Sequence, residues 1–173
     1  MSARRLRLGP LLIPVVVAGL IPAALRLLLP GATWPLPVEV RLAAGTPIAS
    51  LGLWLLADSV DRVYLRQATP LGDKPPEYLV REGWYRRVRN PMALGMLAAL
   101  TGESLFIDSS ALLGWALVVL LVARHAAVKI EEPSLARAFP HEYEAYRLRT
   151  PRWIPTLIRP GTHAASARSV RRP

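Results

Sequence analysis

The stretch that decides the fold is Ser110–Val128, SALLGWALVVLLVARHAAV, an apolar run whose ionisable side chains, Arg124 and His125, sit near its far end. A helix needs roughly 20 mostly apolar residues to cross a hydrocarbon core of roughly 30 Å, because lipid offers no partner for an unpaired backbone amide. This stretch meets that requirement. Working outward, three further segments qualify: about Leu8 to Leu29, about Leu42 to Ala57, and Pro91 to about Ile107. The first is interrupted by Pro10, Pro14 and Pro22 and carries Arg26 near its end, where a long side chain can snorkel. A basic start precedes it, as in a signal peptide. Because more apolar runs follow and no small-residue cleavage site is convincing, it reads as a retained helix. The expected fold is all-α and membrane-embedded, with four transmembrane helices at about 8–29, 42–57, 91–107 and 110–128.

A formal charge of +10 would suggest a nucleic-acid partner if it lay on one face of a soluble domain. It does not. The basic residues fall in blocks between the apolar runs, and mean hydropathy is positive at +0.28, which is membrane topology rather than nucleic-acid affinity. Lys and Arg count 3 before the first run (Arg4, Arg5, Arg7), 7 from Asp58 to Asn90, and 10 after Val122. On the other side, Pro30 to Arg41 holds Arg41 alone, and the turn at Asp108, Ser109 and Ser110 holds no basic residue. Basic side chains resist translocation, so both termini are expected in the cytoplasm of a multi-pass protein of the cell's inner membrane.

Cysteine is absent, which excludes disulfides, thiolate nucleophiles and Cys-ligated metals. His125, His141 and His163 show no paired metal-ligand spacing, so no metal site is expected. No internal repeat suggests the inverted halves of a transporter.

The loop Ala68–Tyr78 contains Pro70, Gly72, Pro75 and Pro76, which exclude a continuous helix. After Pro133, residues Leu135, Phe139, Tyr143 and Tyr146 recur at spacings of three and four, which predicts an amphipathic helix over about 133–148 at the membrane surface. One domain is expected over 1–160, followed by a basic, patternless tail at 161–173.

Three motifs on the basic side could carry chemistry. Arg89-Asn90-Pro91-Met92, with Gly95, stands where the loop enters the third apolar run. Asn as N-cap and Pro at the first helical position explain it structurally. A helix N-terminus with a nearby guanidinium also suits a carboxylate or phosphate. Glu131-Glu132-Pro133 follows the fourth run. One carboxylate is accounted for by the dipole of a Pro-started helix, whereas two beside Arg124, His125 and Lys129 form a denser polar cluster than anchoring needs. The run Tyr143, Tyr146, Arg147, Arg149, Arg152, Trp153 and Pro155 reads either as an interfacial belt or as an aromatic wall with guanidinium groups. Trp84 and Tyr85 admit the same two readings.

In order along the chain, Gly83-Trp84-Tyr85-Arg86-Arg87-Val88-Arg89-Asn90-Pro91-Met92, Gly95, Glu131-Glu132-Pro133, Leu135, Phe139, Tyr143, Tyr146 and Pro151-Arg152-Trp153-Ile154-Pro155 resemble the isoprenylcysteine carboxyl methyltransferase and phospholipid methyltransferase family. The resemblance covers about Thr69 to Pro155; the first two apolar runs are similar only in being apolar. The family pattern has His or Asn where Asn90 stands. Two departures are Ala93, where Tyr is usual, and Pro140, where Gly is usual. The first removes an aromatic from the cofactor or acceptor; the second alters a local turn.

The resemblance implies a membrane-embedded S-adenosylmethionine-dependent methyltransferase, its cofactor at the cytoplasmic ends of the last two spanning helices and its acceptor drawn from the lipid. Cofactor contacts are then expected from Asn90, Pro91, Gly95, His125, Glu131, Glu132, Tyr143, Tyr146 and Arg152, and catalytic roles from Glu132, Arg89 and His125. The cofactor's ammonium calls for Glu131 or Glu132, its carboxylate for Arg89 or the helix start at Asn90, and its adenine for aromatic faces. If the acceptor must lose a proton, His125 or the glutamate not holding the ammonium is the candidate base. The acceptor is expected to be lipophilic or amphipathic: an isoprenylcysteine-like carboxylate, a phospholipid, or a small thiol or alcohol. Two alternatives stand beside this one: a nicotinamide-dependent membrane reductase, and a non-catalytic scaffold whose basic surface binds anionic membrane lipids.

Overall fold

A computed structural model describes residue 12 and residues 15–67 and 76–155. Among these the protein is helical, with no strand. Helix α1 spans Val16–Leu28, α2 Val38–Leu65, α3 Pro91–Phe106, α4 Ala111–Ala138 and α5 Pro140–Arg149, and a 3₁₀ turn at Gly83–Arg86 precedes α3. The all-α expectation holds. The expected tail at 161–173 and most of the Pro-rich loop lie outside the described residues.

Helices α2 and α4, each of 28 residues, are long and apolar enough to cross a membrane, while α1 and α3 are shorter apolar helices. At 1.5 Å per residue, 28 residues rise about 42 Å, more than a hydrocarbon core of roughly 30 Å requires. Each helix is longer than a crossing needs. Apolar side chains on α4, including Leu117, Val118, Leu121 and Val122, stand exposed on the outside, a surface that suits lipid.

Both long helices outrun the hydropathy that predicted them. The second was expected to end near residue 57, yet α2 continues through Asp58 and Arg62, which pair one turn apart at 2.9 Å, and closes with a π turn at Asp61–Leu65. The fourth was expected to end near 128, with a new helix at Pro133. Instead α4 runs through Pro133 to Ala138 by way of a π turn at Ala127–Glu131, where the Glu132 N–H bonds to the Ala127 carbonyl five residues back. The wider turn lets a proline, which has no N–H to give, stay inside a continuous helix.

The helix expected over 133–148 is broken at Phe139, whose φ of −135° and ψ of 64° are not helical. Pro140 is the cause, because a proline ring pushes the preceding residue out of the α region. The apolar stripe survives the break: Tyr143 and Tyr146 are buried with Leu79, and Leu135 and Phe139 pack against them.

Helices α2 and α3 meet backbone to backbone. Gly45 and Gly52 face Gly95 and Gly102, and a Cβ added at Gly95 would lie 2.8 Å from the Leu56 nitrogen and 2.9 Å from the Gly52 carbonyl oxygen. Small residues are what permit such an approach between helices in lipid. Beside this seam Leu56, Val60, Met96, Leu100 and Ala116 form the core, with Val17 and Trp115 packed on it. Trp115 donates its indole N–H to the Val17 carbonyl at 2.9 Å, tying α4 to α1. At the end opposite the basic loops, the Trp34 N–H donates to Asp108 at 2.9 Å and Arg41 pairs with Asp108 at 3.4 Å, closing the α3–α4 turn.

Candidate functional site

Asn90 caps α3, its side-chain oxygen accepting from the Ala93 N–H at 3.4 Å, and Pro91 opens the helix. Immediately before them, the Arg89 N–H donates to the Pro151 carbonyl at 2.8 Å. That bond fixes the start of α3 against the segment after α5, and it delivers the Arg89 side chain between α4 and α5. There Arg89 Nη1 lies 3.3 Å from Glu132 Oε1 and donates to the Tyr143 hydroxyl at 3.3 Å. Its Nε is buried and has no hydrogen-bond partner.

Glu132 is the hub. Arg152 donates to it through Nε at 2.6 Å and Nη2 at 2.8 Å, a bidentate pair in which the carboxylate is 16% and the guanidinium 32% exposed. This bond raises the Arg152 pKa further above its already high ordinary value. Tyr146 donates its hydroxyl to the Tyr85 carbonyl at 2.7 Å. Burial pushes both tyrosine hydroxyls up, and for Tyr143 the nearby Glu132 charge adds to the effect. Both therefore stay protonated at neutral pH.

These groups line a small, partly open cleft. Arg89, Asn90, Glu131, Glu132, Tyr143 and Tyr146 line it, so six residues singled out from three separate motifs meet in one place. Arg152 stands behind Glu132 rather than on the wall. Pro91 is buried at the start of α3, and Gly95 lies in the seam with α2. His125 is exposed on α4 and does not line the cleft. Two further residues line it: Ala127, which the sequence reading missed, and Leu135, which it read only as part of the apolar stripe and the family motif. With Glu131 they fall at positions i, i+4 and i+8 of α4, a spacing present in the sequence but hidden by reading a helix break at Pro133.

A helical membrane protein with an ionic, tyrosine-walled cleft near the polar end of a spanning-length helix is the class that fold and site define. The phospholipid methyltransferase family matches residues 40–142, more than half of the chain, and this protein belongs to that family. Comparison with curated proteins returns no match. The family match takes in α2 as well as α3 and α4, so the likeness begins earlier than the motifs alone implied, and it stops just before Tyr143. Membership makes the protein a membrane-associated methyltransferase.

Proposed function

We propose that the protein transfers a methyl group from S-adenosylmethionine to a lipophilic or amphipathic acceptor, with the cofactor in the cleft between α4 and α5. The observation that carries this reading is Arg89: a cleft-lining side chain 12% exposed, anchored at one edge by Glu132 and Tyr143, with its Nε buried and unpartnered. An unmet buried donor costs free energy until an acceptor arrives, and a carboxylate is such an acceptor. The rest of the donor set fits the cofactor too. The Tyr143 and Tyr146 rings offer aromatic surface to adenine and sulfonium.

Bound S-adenosylmethionine supplies a methyl group already activated by its sulfonium. The chain's own residues then contribute position and exclusion of water. Arg89 fixes one end of the ligand, the bond from Arg89 to Pro151 holds the wall closed, and the exposed apolar faces of α2 and α4 let an acceptor approach from lipid. The excess of Lys and Arg on the loops at this end supports a cytoplasmic position for the cleft, where a water-soluble cofactor is available.

Titration of the detergent-purified chain by calorimetry tests the reading, with S-adenosylmethionine, S-adenosylhomocysteine and NADPH as ligands. Both adenosyl ligands bind, NADPH does not, and Arg89→Ala lowers adenosyl affinity by about tenfold or more, the loss of one charge-assisted contact. Failure of both adenosyl ligands to bind, or equal affinity in the variant, defeats it.

A further inference from the structure

Two adjacent carboxylates face this cleft, and the structure treats them differently. Glu132 is saturated: Oε1 accepts from Arg152 and lies against Arg89, and Oε2 accepts from Arg152. Taking up a proton would cost Glu132 the charge that holds both guanidiniums. Glu131 lines the same cleft from the π turn of α4, and among the described residues it makes no hydrogen bond and no ion pair.

Their surroundings differ as well. Glu132 looks toward α5 and the segment after it. Glu131 lies within electrostatic range of Tyr64 at the end of α2 and of Tyr85 in the 3₁₀ turn. Tyr64 and Met92 in turn pack on the apolar core of Leu56, Val60, Met96 and Leu100. Glu131 thus stands where the ionic cleft meets the apolar bundle, which is where a lipophilic acceptor and a polar cofactor would have to meet. Arg89 and Arg152 both engage Glu132, so Glu131 is the carboxylate on the wall that no described guanidinium holds.

We propose that Glu131 is the general base of the transfer, acting on an acceptor whose attacking atom carries a proton, and that Glu132 is a positioning residue that holds Arg89. The inference rests on the cleft being the cofactor and acceptor site. In the step, the acceptor's attacking atom forms a bond to the methyl carbon while the carbon–sulfur bond breaks and its electron pair stays on sulfur. The proton of the acceptor passes to a Glu131 carboxylate oxygen. His125, the other base suggested by the sequence, does not line the cleft, whereas Glu131 does.

The test compares the full chain in detergent with Glu131→Gln and Glu132→Gln, reading S-adenosylhomocysteine affinity by calorimetry, thermal stability, and transfer of labelled methyl. Three acceptor probes are used: phosphatidylethanolamine in mixed micelles, N-acetyl-S-farnesylcysteine as a carboxylate, and a lipophilic thiophenol that is ionised in mildly alkaline buffer. The wild type methylates the amine. Glu131→Gln keeps its stability and its S-adenosylhomocysteine affinity within about threefold, loses amine methylation by about 100-fold or more, and loses far less with the ionised thiol, which needs no base. Glu132→Gln loses affinity and stability together. If it does not fold, the Glu131→Gln measurements decide alone. The inference is overturned if Glu131→Gln loses ligand affinity as much as turnover, if the ionised thiol suffers the same loss as the amine, or if the wild type methylates only the carboxylate or none of the probes. A wild type that binds no S-adenosylhomocysteine is a different result, and it removes the proposed function itself.

Discussion

Arg152 grips Glu132 with two parallel hydrogen bonds, Nε to Oε1 at 2.6 Å and Nη2 to Oε2 at 2.8 Å, across 20 residues of sequence that include the whole of α5. The pair closes the chain on itself: α4 leaves the bundle, α5 folds back after Pro140, and the segment after α5 returns to α4. A Lys cannot reproduce this geometry, because an ammonium is a point donor and the carboxylate here is met by a planar fork. Arg152→Lys should lower the melting temperature of the purified chain, at a cost of about 2 kcal/mol for loss of a charge-assisted bidentate pair. Differential scanning fluorimetry checks this, and an unchanged melting temperature would show that the segment after α5 is held by other contacts.

Gly95 provides a second measurement. The structure sets it against the Leu56 nitrogen and the Gly52 carbonyl of α2, both backbone atoms that cannot step aside. Gly95→Ala should cost about 1–3 kcal/mol through overpacking. Gly114, on α4, has nothing within 4 Å of an added Cβ, so Gly114→Ala should be neutral or stabilising by up to about 1 kcal/mol, the helix preference of Ala over Gly. Urea unfolding in detergent of the two variants reads the difference. Equal effects would mean that the α2–α3 seam is looser than it stands here.

How much of this was legible beforehand depended on which physical signal each element carried. Hydropathy marked the apolar middles of α2 and α4 but not their ends, because Asp58, Arg62, Glu131 and Glu132 lower the hydropathy while continuing the helix. Pro133 and Pro140 look alike in sequence. One sits in a continuous helix eased by a π turn and the other breaks it at Phe139, a choice made by tertiary packing on both sides. The cleft was legible in part because Arg89, Glu132 and Tyr143 have chemistry that invites pairing. The bond from Arg89 to Pro151 that assembles them runs through backbone atoms and leaves no mark on residue type.

His125 separates proximity in sequence from proximity in space. It lies two residues before the π turn that carries Glu131, yet its side chain is exposed on α4 and absent from the cleft wall. His125→Ala should leave S-adenosylhomocysteine affinity within about twofold of the wild type, less than 0.5 kcal/mol. Calorimetry decides, and a loss of tenfold would place the imidazole in the cleft.

The two cleft tyrosines should respond differently to losing their hydroxyls. Tyr143 accepts from Arg89, whereas Tyr146 donates to the Tyr85 carbonyl, so Tyr143→Phe should weaken adenosyl binding through Arg89 and Tyr146→Phe should cost stability of about 1 kcal/mol. Alkaline pH tests both at once. Burial raises the two hydroxyls above their ordinary value of about 10, so the unfolded chain gives up these protons more easily than the folded one. Their contribution to stability is fully present below about pH 10 and is lost as pH rises from there toward the folded values. The melting temperature should therefore fall steeply above about pH 10, and less steeply when Tyr143 and Tyr146 are both Phe. Parallel curves for wild type and double variant would mean that neither hydroxyl is shielded from solvent.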